Sequence, residues 1–213
     1  MQVIGINSSP RKKSNTDLLL INLLRGVSAG GGETVHIDLY DYDIGFCKAC
    51  ETCYKTGSCA ITDDFEEIYD IVLESDGIVL SSPNYINNVT AVMKTFLDRM
   101  ADTVHCQRLL GKYAAAVSTA GGSGAGEVAG YLNQSMFIMG ADIVGKVGVN
   151  LADGEEMFNK GVSAAYELGV EFADAIITKT VYPDQKENHE AMLKRMTELV
   201  SFRRDDWPHE YEY

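Results

Sequence analysis

Near the start of the chain lies the β-branched run Val3-Ile4-Gly5-Ile6, which is followed by Asn7-Ser8-Ser9-Pro10-Arg11-Lys12-Lys13-Ser14-Asn15-Thr16. An apolar pattern, Leu18-Leu19-Leu20-Ile21, comes next, so this region predicts a strand, a hydroxyl-rich turn and a helix. The free amides and the positive dipole end of a helix attract an anion, and the hydroxyls of Ser8, Ser9, Ser14 and Thr16 can donate to its oxygens.

Neither of two common phosphate fingerprints, G-x-G-x-x-G and G-x-x-x-x-G-K-[ST], fits residues 5–16. The turn therefore predicts a site for a mononucleotide phosphate rather than for a dinucleotide. Ser, Asn and Thr also cap helices, so an ordinary strand-to-helix connection is the alternative interpretation.

The bulk composition limits the kind of protein that this chain can be. Its 213 residues, 46% of them hydrophobic, are enough for one domain with a full core, or for one domain with an appendage. A net charge of −13 argues against nucleic acid or an anionic membrane as a partner, because Lys and Arg hold those surfaces. The first residues enter a strand without the features of a signal peptide, so we expect a cytoplasmic protein.

Strand and helix patterns alternate along most of the chain. The predicted strands are residues 3–6, 34–39, 77–82, 113–119 and 142–149, and the helices between and after them are residues 17–29, 62–74, 91–100, 127–139 and 155–177. This alternation predicts an α/β fold with a doubly wound, five-stranded parallel sheet in the order 2-1-3-4-5. We expect one domain over residues 1–180, and a C-terminal extension over residues 181–213 that contains a helix at 190–200 and a non-helical acidic tail.

In such a sheet the ligand crevice lies between strands one and three. The hydroxyl-rich turn follows strand one, Pro83-Asn84-Tyr85 follows strand three, and the glycine-rich run 120–126 follows strand four. Tyr85 offers a flat apolar surface, and the glycines let backbone approach a planar ring. Taken singly, the second loop is also typical of a plain strand terminator and the third of a flexible surface loop.

These motifs resemble those of a known family. Asn7-Ser8-Ser9-Pro10-Arg11 with Ser14-Asn15-Thr16, Ser82-Pro83-Asn84-Tyr85 with Leu97-Asp98-Arg99, and residues 118–124 are similar to the NADPH-dependent FMN reductase branch of the flavodoxin-like superfamily. The resemblance implies that Ser8, Arg11, Ser14, Asn15 and Thr16 hold the FMN phosphate. It also implies that the isoalloxazine is lined by Pro83, Asn84, Tyr85, Ile86, Thr119, Ala120, Gly121, Gly122, Ser123 and Gly124. Asn84 departs from the family, which usually has an apolar residue there.

Four cysteines, Cys47, Cys50, Cys53 and Cys59, lie within thirteen residues, a spacing that suits one metal centre. Short spacings let a turn aim successive sulfurs at one point, as cuboidal iron–sulfur clusters require, and Gly57 permits a tight return to Cys59. A structural zinc site is the second interpretation, and four free thiols are the third. The fifth cysteine, Cys106, is expected to be an ordinary small core residue.

A compact cysteine motif in the loop 45–60, after the second strand of an FMN-binding domain, is similar to that of the iron–sulfur flavoproteins. The resemblance implies a [4Fe-4S] cluster on the four cysteines, near the FMN of a neighbouring chain in a dimer or tetramer. It also implies an electron donor such as ferredoxin or NAD(P)H, and a small-molecule acceptor such as a quinone, dioxygen or peroxide.

Three functions are therefore compatible with the sequence. The first is an FMN-dependent oxidoreductase or electron carrier that couples a cluster to the flavin, and the second is an NAD(P)H-dependent FMN or quinone reductase without a cluster. The third is a non-catalytic binding module with a zinc–thiolate site. No side chain is predicted to be catalytic, since the four histidines have no ligand spacing to one another. The cysteine excursion and the aromatic tail lead us to expect a homo-oligomer.

Overall fold

The computed structural model describes all of residues 1–213. The strands are β1 (Gln2–Asn7), β2 (Glu33–Asp38), β3 (Gly77–Pro83), β4 (Tyr113–Ala120) and β5 (Asp142–Asn150). The helices are α1 (Asn15–Ala29), α2 (Thr52–Thr56), α3 (Phe65–Glu74), α4 (Ala91–Arg99), α5 (Ala101–Cys106), α6 (Ala125–Ile138), α7 (Glu155–Thr178), α8 (Pro183–Phe202) and α9 (Pro208–Glu212).

The five strands form one parallel sheet in the order β2-β1-β3-β4-β5, which confirms the predicted fold. Side chains of successive strand residues enter opposite layers, because the period of a strand is two. Ile78 and Leu80 of β3 lie in the core beneath α3, α4 and α6, whereas Val79 lies in the core beneath α1 and α7. Both faces of the central strands are therefore covered, as their continuous apolar sequence predicts.

Two glycines let α1 and α7 approach each other closely. A Cβ added at Gly26 would lie 2.1 Å from the carbonyl oxygen of Tyr166, and one at Gly169 would lie 2.0 Å from that of Leu23. Any side chain at either position would push the helices apart. The contact fixes the direction of α1, and α1 carries the hydroxyl-rich turn at its beginning.

Two elements differ from the prediction. The helix expected at residues 91–100 ends at Arg99, and a separate helix, α5, follows it after Met100. The expectation of a non-helical tail is wrong, since Pro208–Glu212 form α9, with Pro at a position where a helix does not need its amide. No helix of the chain combines the length and the apolar character needed to cross a membrane.

Candidate functional site

A cavity of about 390 Å³ opens at the carboxyl ends of β1, β3 and β4, where the fold places its crevice. The three loops expected to meet there do so. Its lining consists of Ser9, Arg11, Lys12, Lys13, Ser14, Asn15, Thr16, Pro83, Asn84, Tyr85, Thr119, Ala120, Gly121 and Leu151. Lys12, Lys13 and Leu151 were not predicted to belong to this site.

The hydroxyl-rich turn presents unused hydrogen-bond donors to this cavity. Ser14 caps α1 and its Oγ accepts the Asp17 amide at 3.1 Å. The backbone amides of residues 12–16 donate to no group of the protein. Because these amides lie where the helix dipole is positive, the turn can receive an anion without losing any existing hydrogen bond.

The charges around the turn add to this preference. Lys12 lies 2.6 Å from Asp41 and 3.5 Å from Asp38, and the hydrogen bond to Asp41 is the main reason that its pKa is raised. Arg11 and Lys13 form no ion pair, although the protein as a whole is acidic. Two uncompensated cations therefore border the free amides.

Buried polar contacts hold the turn against the sheet. The Oγ1 atoms of Thr16 and Thr119 are 2.5 Å apart and join the first turn of α1 to the end of β4. Ser8 lies behind the turn, where its Oγ donates to the Ser81 carbonyl at 2.9 Å, and it does not line the cavity. Thr16 and Thr119 thus face the crevice, while Ser8 supports it from below.

Asn84, the departure from the family pattern, connects two of the loops. Its amide Nδ2 donates to the Ser123 carbonyl at 2.8 Å, and its backbone amide donates to the Thr119 carbonyl at 2.7 Å. Gly124 has φ +90° and a Cβ there would lie 2.6 Å from Asn84 Nδ2. The Asn84 Oδ1 atom is buried without a partner. Asn84 therefore anchors the glycine-rich loop beside the cavity.

The residues after Asn84 form a tight turn at the rim. Tyr85 and Asn88 exchange backbone hydrogen bonds of 2.8 and 3.2 Å, and Ile86 and Asn87 between them have φ values of +51° and +59°. Two positive φ angles in succession are typical of a type I′ turn. Ile86 is 99% exposed and lies outside the cavity lining, as do Gly122, Ser123 and Gly124.

The four cysteines occupy a loop, residues 45–60, that is closed at its neck by one arginine. Arg99 donates to the Gly45 carbonyl at 2.9 Å, before the cysteines, and to both oxygens of Asp63, at 2.7 and 3.1 Å, after them. Asp63 Oδ2 also accepts the Gly45 amide at 2.8 Å. Both ends of the cysteine loop are thus bound to the same ion pair.

The thiols themselves are not brought together into a metal site. None of the five cysteines forms a disulfide; Cys47 and Cys50 are exposed, and Cys53 and Cys59 are half-buried. Burial raises the pKa of Cys53 to about 12. Nowhere does the structure gather three or more His, Cys, Asp or Glu side chains in a metal-binding arrangement. The donor set therefore suits a metal centre in its chemistry, but its geometry does not form one.

The C-terminal strap, residues 203–213, covers the cysteine loop. Trp207 is 8% exposed, and its indole Nε1 donates to Glu51 at 3.2 Å. Its ring packs 5.0 Å from Tyr54 and 4.9 Å from His105, measured between centroids. The His105 ring in turn lies 3.0 Å from the buried carboxylate of Glu210. The aromatic tail was expected to contact a partner chain, but its Trp207 packs against residues of its own chain.

Comparison with known proteins identifies the family. A family model described as NADPH-dependent FMN reductase matches residues 1–156. An iron–sulfur flavoprotein of Archaeoglobus fulgidus is 34% identical over 204 residues, which are 95% of this chain and 92% of that protein. The chain belongs to the iron–sulfur flavoprotein branch of the FMN reductase family. This confirms the family that the motifs indicated.

Further comparisons agree with this assignment. An iron–sulfur flavoprotein of Methanocaldococcus jannaschii is 32% identical over 188 residues, covering 83% of this chain and 97% of that one. The structure of a flavodoxin from the domain Archaea, 18% identical, matches with a TM-score of 0.57 over 83% of this chain and 99% of that one, and so supports the fold. As a member of the FMN reductase family, the protein is a flavin-dependent oxidoreductase, as predicted.

Proposed function

We propose that this member of the FMN reductase family binds FMN in the 390 Å³ cavity and exchanges electrons between that FMN and a [4Fe-4S] cluster on the cysteine loop. The observation that supports FMN most strongly is the set of unused amides at residues 12–16, flanked by the unpaired cations Arg11 and Lys13. A single phosphate fills such a site, and nothing in it resembles a dinucleotide fingerprint.

In this proposal each loop has a separate task. The turn with Arg11, Ser14, Asn15 and Thr16 binds the phosphate, while Tyr85 and the backbone near Gly121 border the isoalloxazine. Bound FMN supplies one- or two-electron chemistry, which the protein controls by position and electrostatics. Backbone amides near the ring would stabilise negative charge on it, in the way that preorganised dipoles stabilise developing charge elsewhere.

The assignment of the cluster depends on the donor set and on the names of the relatives. Four thiols in one loop are the usual ligands of a [4Fe-4S] cluster, and zinc is the alternative metal. Because the loop does not gather the thiols as it stands, metal binding requires it to rearrange. A second candidate function is an NAD(P)H-dependent FMN or quinone reductase that works without a metal, and the match of residues 1–156 to the NADPH-dependent FMN reductase family supports it.

We further infer that the protein is a homo-oligomer, because the large apolar side chains of Phe46, Ile86 and Phe202 are 77%, 99% and 85% exposed. Its electron donor would be a ferredoxin or NAD(P)H, and its acceptor a small molecule. We also propose that residues 181–213 are an extension of the flavin domain at residues 1–180. Sedimentation showing a stable monomer at micromolar concentration would refute the oligomer.

Purification without oxygen, followed by acid extraction and by iron and sulfide analysis, tests both cofactors. FMN and about four irons per chain are expected; FAD, or no flavin after reconstitution with FMN, would contradict the proposal. Zinc or no metal would favour the second function or a structural metal site.

Replacing Cys59 by Ala separates the tasks of the two sites. The variant should keep FMN and its reduction by a nicotinamide, but it should lose rapid reduction by a one-electron protein donor. Cys106→Ala is the matched control, since Cys106 lies outside the motif, and it should behave as the wild type. Equal loss with both donors would argue against an electron relay and for a structural metal, whose binding energy is folding energy.

A further inference from the structure

Arg99 is buried at the neck of the cysteine loop with no exposed side-chain surface, and its carboxylate partner Asp63 is nearly as buried. Its Nη1 and Nη2 atoms donate hydrogen bonds to the Gly45 carbonyl and to both carboxylate oxygens of Asp63. The centroid of the Phe65 ring lies 4.4 Å from the guanidinium carbon. Contacts on the edge and on the face of the guanidinium leave it little freedom. Because removal of one partner leaves an uncompensated buried charge, the neck should be sensitive to substitution of either residue.

One donor of the same side chain is not used. The Nε atom of Arg99 is buried and has no hydrogen-bond partner, although guanidinium groups normally satisfy their donors when they are buried. The guanidinium also reaches the segment just after Cys59, because its Nη2 atom lies 3.5 Å from the Ile61 carbonyl oxygen.

The backbone of Cys59 is fixed independently of Arg99. Its amide donates to Glu66 Oε1 at 2.9 Å, and Glu66 belongs to α3. The last cysteine of the motif is thus held close to the buried cation while its half-buried sulfur remains available. A metal-bound thiolate sulfur is anionic, and hydrogen bonds between charged groups are stronger than those between neutral groups.

We propose that Arg99 is a positioning residue for the metal centre: it ties both ends of the cysteine loop together and donates its Nε–H to the Cys59 sulfur once that sulfur is a metal-bound thiolate. This inference rests on the proposed function. Lysine cannot replace it, because one ammonium group cannot serve Gly45, Asp63 and Cys59 in the fixed directions of a guanidinium.

The test compares Arg99→Lys with a matched control, Arg108→Lys. Arg108 also pairs with a buried aspartate, Asp102 at 2.9 Å, and also lies over an aromatic ring, Tyr69 at 5.3 Å. It makes no hydrogen bond to the cysteine loop. Loss of an arginine that pairs with a buried aspartate therefore affects both variants, whereas loss of the contacts at the neck affects only Arg99→Lys.

Four quantities are measured on each variant: FMN content, the rate of iron release to a chelator and the reduction potential of the metal centre after anaerobic reconstitution, and hydrogen exchange of the metal-free protein at residues 45–60. For Arg99→Lys we expect an unchanged FMN content and at least tenfold faster release of iron to a chelator. The reduction potential should be lower, because a hydrogen bond to sulfur is lost. The Gly45 amide should exchange at least tenfold faster. Arg108→Lys should change none of these.

Asp63→Asn separates the two tasks of Arg99 and serves if Arg99→Lys does not fold. It weakens the neck but keeps the Nε donor, so Gly45 exchange should accelerate while the potential stays near the wild-type value. Wild-type potential and iron retention in Arg99→Lys would overturn the proposal. A wild type that takes up no iron would refute the cluster itself, and the hydrogen-exchange comparison would then decide the anchoring role alone.

Discussion

Replacement of Ile86 by Asn should stabilise the flavin-free protein while weakening its affinity for FMN. Ile86 has φ +51°, a conformation that costs an ordinary L-residue about 1–2 kcal/mol and that Asn adopts readily. Because the side chain is 99% exposed, its removal forfeits no burial. We expect the free energy of unfolding to rise by about 1 kcal/mol, which raises Tm by about 2–4 °C for a chain of this length.

The effect on FMN should have the opposite sign if Ile86 borders the isoalloxazine, as the family resemblance implies. Covering about 40 Å² of apolar surface is worth about 1 kcal/mol, so the Kd for FMN should rise about fivefold. Urea unfolding of the flavin-free protein and fluorescence titration with FMN measure the two quantities.

The matched control is Asn87→Gly, which changes the next residue of the same turn, at φ +59°. It should leave the affinity for FMN unchanged and alter stability by less than about 0.5 kcal/mol, since Asn already tolerates this conformation. A flavin-free Ile86→Asn protein that is less stable than the wild type would refute the strain argument. An unchanged Kd would place Ile86 outside the flavin contact, in line with its absence from the cavity lining.

Three further outcomes follow from contacts elsewhere in the chain. Thr16→Val leaves the buried Thr119 hydroxyl without its partner at 2.5 Å, so it should lower the free energy of unfolding by about 1–2 kcal/mol and weaken FMN binding. Urea unfolding and flavin titration measure the two effects, and unchanged values in both would contradict the role of this pair. Trp207→Phe removes the donor to Glu51 and should cost about 1 kcal/mol in urea unfolding, so an equally stable variant would show that the strap is not held by this bond. Burial raises the pKa of Asp142, so ionisation of its carboxyl group lowers the stability of the wild type as the pH rises above about 4. Asp142→Asn should therefore be more stable than the wild type at pH 7 but not at pH 3. A gain of equal size at both pH values would show that ionisation of Asp142 is not the cause.

The sheet could be predicted from the sequence because its signals are local. Val79 and its neighbours form a continuous apolar strand, and such strands are buried on both faces in a parallel sheet. Strand order and loop chemistry then placed the crevice, since the carboxyl ends of β1 and β3 meet at one edge. The residues that predict each strand and each loop lie within that element or next to it.

Other features depend on contacts that no local pattern encodes. Asn84 departs from the family pattern, and its role as an anchor of the glycine-rich loop depends on its hydrogen bond to Ser123, which is 39 positions away. The break between α4 and α5 has no proline or glycine to mark it. Arg99 looks like the charged end of an amphipathic helix, whereas its partner across the neck, Asp63, is 36 residues away. In each case tertiary contacts decide the outcome.

The strap has a consequence for the order in which the molecule is assembled during synthesis. Glu51 and its donor Trp207 are 156 residues apart in the chain. At about 5–20 residues per second, a ribosome makes the tryptophan about 8–30 s after the cysteines have been added. Throughout that interval the strap is absent, so the nascent cysteine loop meets metal donors and oxidants before the last helix packs against it.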